Sequence, residues 1–223
     1  LWSESPPAAP DDLYVDPTLM QPPGNAPGMA ALQVCYCGPQ ADAEKALAPI
    51  RKLGTPLKDT IKTMEYVQVQ RSGDSTDTRA IASYLKGGFV GKVPGDLVNA
   101  MVDGFHGDPR RTTVLFFQHC GGAGSRIPDD ATAFAHRYAI GNMMTVVAWP
   151  IGDKDPSPHI EAARAYWKTL EPFTRGFYVN DMAREVTAKD INENYRGNYK
   201  RLVALKTKYD PTNLFRLNAN VTP

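Results

Sequence analysis

LYVDPTLMQPPGNAPGMAALQVCYC, residues Leu13–Cys37, sets how the rest of the chain is read. Leu13–Met20 and Met29–Cys37 are two strands, and the Pro/Gly-rich QPPGNAPG between them is a loop. Strand follows strand with no helix between. Downstream, Ala41–Leu53 places Ala43, Ala46, Leu47 and Ile50 on one face of a helix that Gly54 stops. Leu57–Gln70 mixes β-branched and polar residues and stays open between helix and strand, and Ser72–Thr78 is a turn. Ala80–Val90 is a strand broken at Gly87-Gly88, Gly95–Phe105 a helix, and Thr112–His119 a strand rich in β-branched and aromatic residues. A Gly-rich loop leads to a strand over Ala139–Trp149, a helix over Pro158–Phe173, a short strand over Phe177–Asn180 and a long helix over Lys189–Lys208, weakened in its first half by Gly197. With no regular βαβ rhythm, the fold class is α+β: an antiparallel sheet with helices mainly on one face, the other face left to meet something else.

The totals narrow the function classes. A chain of 223 residues can bury a full core, and a formal net charge of +1 offers no electrostatic footprint for nucleic acid. No apolar run approaches the roughly 20 residues that span a bilayer. The opening LWSESPPAAPDD has neither the basic nor the apolar region of a signal peptide and reads as entry into a domain already under way. Three cysteines, an odd and sparse set, argue against a disulfide framework and fit a reducing cytoplasm.

Few residues carry a recognisable chemistry. No two of His106, His119, His136 and His159 have metal-ligand spacing with a Cys or carboxylate, so no metal site is expected. Cys35-Tyr36-Cys37 puts two thiols on one strand face without a second pair, which reads as small buried hydrophobes. The glycines of His119-Cys-Gly-Gly-Ala-Gly-Ser125 match neither a nucleophile elbow nor a phosphate loop and read as a turn. Gln118 and His119 end a strand beside that turn, and His136-Arg137 opens the next strand. These side chains either line a pocket rim or cap strand ends in water. In the strand expected at Phe177–Asn180, Tyr178 and Asn180 would share one face, with Val179 and Asp181 on the other.

The end of the chain resembles a known family. Asn198-Tyr199, Arg201-Leu202-Val203, Lys206, Tyr209-Asp-Pro-x-Asn213-x-Phe215-Arg216 and Asn218-x-Asn220-Val221 resemble the C-terminal signature of the berberine-bridge-enzyme-like FAD-linked oxidases, of the vanillyl-alcohol-oxidase-type flavoprotein superfamily. Upstream, Gln118-His119-x-Gly121-Gly122-Ala123, Asp130-Ala-Thr-Ala-Phe134-x-His136-Arg137, Trp149 and Gly176-x-Tyr178-Val-Asn180 are similar to that family's substrate domain. Ala46–Gly54 and Met64-Glu-Tyr66 fit it more loosely.

The resemblance implies a C-terminal substrate-binding part of an FAD-dependent oxidoreductase acting on a small organic alcohol, amine or sugar-like substrate. Residues 1–188 would form the substrate domain and residues 189–223 a helix and flavin-contacting tail. FAD would be held mainly by an N-terminal FAD-binding domain, the expected partner, that this chain lacks, so the chain alone would be inactive and bind FAD weakly. On this reading Tyr66, Tyr178 and Asp181 are the catalytic candidates, with the choice of base open because some relatives carry tyrosine near the position of Asp181. Gln118, His119 and His136 would bind substrate, and Asn180, Asn218 and Asn220 would contact the flavin, whose ring edge bears the C=O and N–H groups an amide complements. In this chain without flavin, the tail would be mobile or held only by Phe215 and Leu217. The open sheet face would be apolar enough to drive self-association. A stand-alone binding module with this fold and no redox chemistry is the alternative.

Overall fold

The computed structural model describes residues 10–74, 80–181, 186–217 and 219–223. Part of the expected turn at 72–78, and Asn218, lie outside the described residues.

β1 (Leu13–Gln21) and β2 (Met29–Tyr36) pair antiparallel across the Pro/Gly loop, with Met20 opposite Met29. β3 (Ile81–Val90), β4 (Thr112–His119) and β5 (Gly141–Pro150) complete a five-stranded sheet of order β2-β1-β4-β5-β3, in which every neighbouring pair is antiparallel. The α+β expectation holds. β3 runs unbroken through Gly87-Gly88, contrary to the sequence reading. Gly88 is useful there: a Cβ on it would lie 2.8 Å from the Thr174 Cβ and 3.1 Å from the Gly176 carbonyl oxygen, so glycine lets the 174–176 segment cross close to the strand.

Side chains alternate between the two faces. Among the described residues the first five helices are α1 (Ala43–Arg51), α2 (Tyr66–Gln70), α3 (Gly95–Asp103), α4 (Gly122–Ser125) and α5 (Ser157–Leu170). On one face Leu115, Phe117, Met143 and Val90 are buried against Leu97 of α3 and Tyr166, Trp167 and Leu170 of α5. Val147 and Trp149 continue this core against Ala163. On the other face Val114, Phe116, Val146 and Leu85 stay half-buried. Helices α3 and α5 thus cover one side, and the register leaves Gln118, Asn142 and Phe89 together on the opposite one.

Three expectations are corrected. Residues 177–180 are not a strand. The chain turns at Gly176 (φ 74°), Phe177 N–H donates to Asn194 Oδ1 (2.8 Å), and Asp181 N–H donates to the Tyr178 carbonyl (3.0 Å), closing a 3₁₀ turn over Val179–Asp181. The long helix is two, α6 (Ala188–Tyr195) and α7 (Tyr199–Tyr209), divided at Arg196 (φ 53°). Long-range bonds fix the break, from Asn198 Nδ2 to the carbonyls of Asp129 (2.7 Å) and Thr132 (3.1 Å) and from Arg196 to that of Ala135 (2.9 Å). Phe215 and Leu217 do not dock the tail, since they are 78% and 85% exposed. Asp210 organises it instead, accepting from Leu214 N–H (2.7 Å) and Phe215 N–H (3.1 Å) while pairing with Lys206. Asn213 takes the left-handed conformation (φ 53°) that its side chain tolerates, as its place in the turn suggested.

Asp16 ties β1 to β4 from inside. Its carboxylate accepts from Phe117 N–H (2.9 Å) and Tyr14 O–H (3.2 Å), and burial, only partly offset by these bonds, raises its pKa. A raised folded-state pKa gives stability at low pH that is lost as pH rises from the unfolded value of about 3.9 through the folded one. Asp16→Asn keeps an acceptor oxygen and is expected to flatten this decline. Urea midpoints measured across the carboxylate range would check it, and an unchanged slope would count against the assignment.

Candidate functional site

The site starts from one cross-strand pair. Gln118 on β4 faces Asn142 on β5. Asn142 Nδ2 donates to Gln118 Oε1 (2.9 Å) and, at 3.5 Å, reaches Asp181 Oδ2 from the 3₁₀ turn. Asn142 is 2% exposed, and its Oδ1 is shielded from water with no hydrogen-bond partner among the described residues. An amide so buried is costly unless its acceptor is used. Burial raises the Asp181 pKa, opposed by the Asn142 contact. The same face supplies the half-buried apolar floor of Val114, Phe116 and Val146. A carboxyl whose pKa is raised, a buried amide oxygen without a partner among the described residues and an apolar floor can orient a small polar molecule and take a proton from it.

The turn carrying Asp181 is held from behind. Asn194 Oδ1 accepts from both Phe177 N–H and the His136 ring at Nε2 (2.9 Å), so that nitrogen carries the proton. His136 is 4% exposed and stacks on Phe89 with ring centroids 4.5 Å apart. Burial, the largest influence, lowers its pKa and favours the neutral ring. His136 was expected to open a strand at a pocket rim. It sits in the loop ahead of β5 and is enclosed, because Phe89, Phe134, Tyr138 and Asn194 surround it.

The other candidates divide. Asn180 Nδ2 donates to the Tyr178 hydroxyl (2.6 Å), so these two sit together on the turn beside Asp181. His119 does not join Gln118. It lines a separate pocket of about 350 Å³ with Tyr14, Cys35, Cys37 and Cys120. Strand alternation sends adjacent residues to opposite faces, which separates the pair that the sequence placed together. Tyr66 lies on α2 (Tyr66–Gln70), 68% exposed, with its hydroxyl accepting from Gln70 (3.0 Å) and no contact to the cluster among those described. Asn220 is half-buried, and its Oδ1 is shielded without a partner among the described residues. Asn142 was missed. The available signal was a lone amide between Gly141 and Met143 in a strand whose other polar side chain is Thr145. Among the described residues no three His, Cys, Asp or Glu side chains group as metal ligands, and no helix is long and apolar enough to cross a membrane.

The antiparallel sheet with helices on one face is similar to the substrate domains of FAD-linked oxidases. The structure of 6-hydroxy-D-nicotine oxidase from Arthrobacter nicotinovorans superposes with a TM-score of 0.78, covering 100% of this chain and 51% of that one at 23% identity. An FAD-linked oxidoreductase of Dictyostelium discoideum is 26% identical over 199 residues, 88% of this chain and 43% of the relative. One of Bacillus subtilis (strain 168) is 26% identical over 205 residues, 88% of this chain and 44% of the relative. The chain therefore spans less than half the length of these curated relatives. Residues 178–222 match the family model for berberine and berberine-like domains. The relatives of this chain are thus FAD-linked oxidoreductases, and its C-terminal segment is similar to the berberine-like domain, in line with the resemblance read from the sequence.

Proposed function

We propose that this chain is the substrate-binding part of an FAD-dependent oxidoreductase, with residues 1–188 as the sheet domain and 189–223 as the helix and tail that reach the flavin. Its partner is an FAD-binding domain of the same parent protein, and its substrate a small organic alcohol, amine or sugar-like molecule. One observation carries this reading. Gln118, Asn142 and Asp181 converge on the sheet face away from α3 and α5, in a fold shared with an oxidase and a sequence related to FAD-linked oxidoreductases.

The shielded, unpartnered acceptors of Asn142 and Asn220 fit a group that presents N–H or O–H donors, as a flavin ring edge or a substrate hydroxyl does. FAD supplies the hydride-accepting chemistry when bound. This chain's residues do the rest. Asp181 takes the substrate proton, and its raised pKa makes it a better acceptor than an ordinary carboxylate. Asn142 and Gln118 orient the substrate. Tyr178 and Asn180 shape the turn beside it, and Asn220 anchors the tail to the cofactor. His136 acts from behind, as a positioning residue that steadies Asn194.

The tail tests the reading. In the complete protein, Asn220→Ala removes one hydrogen bond worth about 1 kcal/mol, so flavin affinity is expected to fall several-fold. Asn213→Ala acts only through its left-handed turn, lowering stability with flavin affinity unchanged. Flavin content after dialysis reads both. Equal retention in the wild type and both variants would remove Asn220 from the cofactor site.

A further inference from the structure

Cys35 and Cys37 were expected to be small buried hydrophobes. The structure places them otherwise. Cys37 is exposed and Cys35 only partly buried, and their sulfurs lie 3.7 Å apart on the wall of the 350 Å³ pocket that Tyr14, His119 and Cys120 also line. Strand geometry causes the approach. Cys35 pairs with Tyr14 in β2, and the pairing continues one step past the strand end, where Cys37 N–H donates to the Asp12 carbonyl (3.0 Å). Residues two apart on an extended strand point the same way.

We propose that Cys35 and Cys37 form a redox-active thiol pair that hydrogen peroxide converts reversibly to a disulfide. The exposed Cys37 thiolate attacks peroxide. A sulfur–oxygen bond forms and the O–O bond breaks, the sulfur loses two electrons, and the departing hydroxide takes a proton to become water. The Cys35 thiol then attacks the sulfenic sulfur, forming the S–S bond as the S–O bond breaks, and the second water leaves with the Cys35 proton. Burial and the neighbouring thiol raise the Cys35 pKa, which suits the resolving partner better than the attacking one. Two extended residues span about 7 Å, the upper end of what a disulfide bridges, so closure draws Cys37 back at a chain position where Gly38 follows. A disulfide closed under such strain is readily reduced, as a switch requires. Cys120 shares the pocket but directs its thiol to the Gln118 carbonyl (3.6 Å). The pair is independent of the flavin reading, since peroxide from any source drives the step.

The test uses the full chain, reduced, desalted and treated with hydrogen peroxide, with thiol counting and peptide mass mapping. Two of the three thiols should disappear, and dithiothreitol should restore them. The tryptic peptide that ends at Lys45, which holds Cys35 and Cys37, should lose two hydrogens while Cys120 stays unmodified. Cys120→Ala should react as the wild type does, and Cys37→Ser should form no disulfide, with folding of each checked by circular dichroism. A link through Cys120, disulfide-joined dimers, sulfinic acid without a disulfide, or no reaction of the wild type would each overturn the proposal.

Discussion

In the complete protein, Asp181→Asn is expected to slow substrate oxidation by about 10²–10⁴-fold, the usual contribution of a positioned general base, with flavin content unchanged. The substitution is close to isosteric and removes only the proton-accepting charge. Asp181 meets Asn142 Nδ2 at 3.5 Å, and an asparagine there can still present an oxygen to that donor. The pH profile separates a base from a scaffold. A base works only when ionised, and burial raises the Asp181 pKa above its ordinary value. Turnover by the wild type should therefore fall as pH drops through a midpoint above about 3.9, and the variant should lose that limb. Turnover within a few-fold of the wild type, with the same acid limb, would move the base elsewhere on the turn. Tyr178, which accepts from Asn180, would then be the next candidate.

Gly176→Ala is expected to destabilise the fold by about 2–4 kcal/mol, combining a left-handed backbone with overpacking. Gly176 has φ 74°, and an added Cβ would fall 2.2 Å from His136 Cε1 and 2.8 Å from Asn194 Oδ1. His136 cannot retreat, because Phe89 stacks against it. The turn must move, and Asp181 moves with it. Thermal or urea unfolding would show the loss. Activity per folded molecule should drop as well, which a substitution acting on stability alone would not cause. A variant as stable as the wild type would contradict the role of Gly176 in setting this turn.

The strands were legible because local chemistry and final placement agree. Thr112–His119 is β-branched and aromatic, and its alternate residues end up buried under α5 or half-open on the far face. Phe177-Tyr178-Val179 has the same composition but forms no strand and leads into the 3₁₀ turn Val179–Asp181, since Gly176 bends the chain and Asn194, from α6, takes the Phe177 N–H. No local pattern encodes a bond seventeen residues away. Gly197 did signal trouble in the long helix, while the bonds that hold the break run to residues 129–135. The candidate site was half legible. Gln118 and Asp181 were named, but Asn142, which joins them, shows only when β4 and β5 are placed in register. Gln118 and His119 were read as one feature, and strand alternation parts them.

The most direct measurement is hydroxyl-radical footprinting of side chains, comparing this chain alone with the flavin-loaded complete protein. If the face opposite α3 and α5 meets flavin and substrate, Phe116 and Tyr178 should be strongly protected in the loaded protein, with Tyr66 on α2 as reactive as before. If Phe116 and Tyr178 react equally fast in both states, the open face is not where the cofactor and substrate meet.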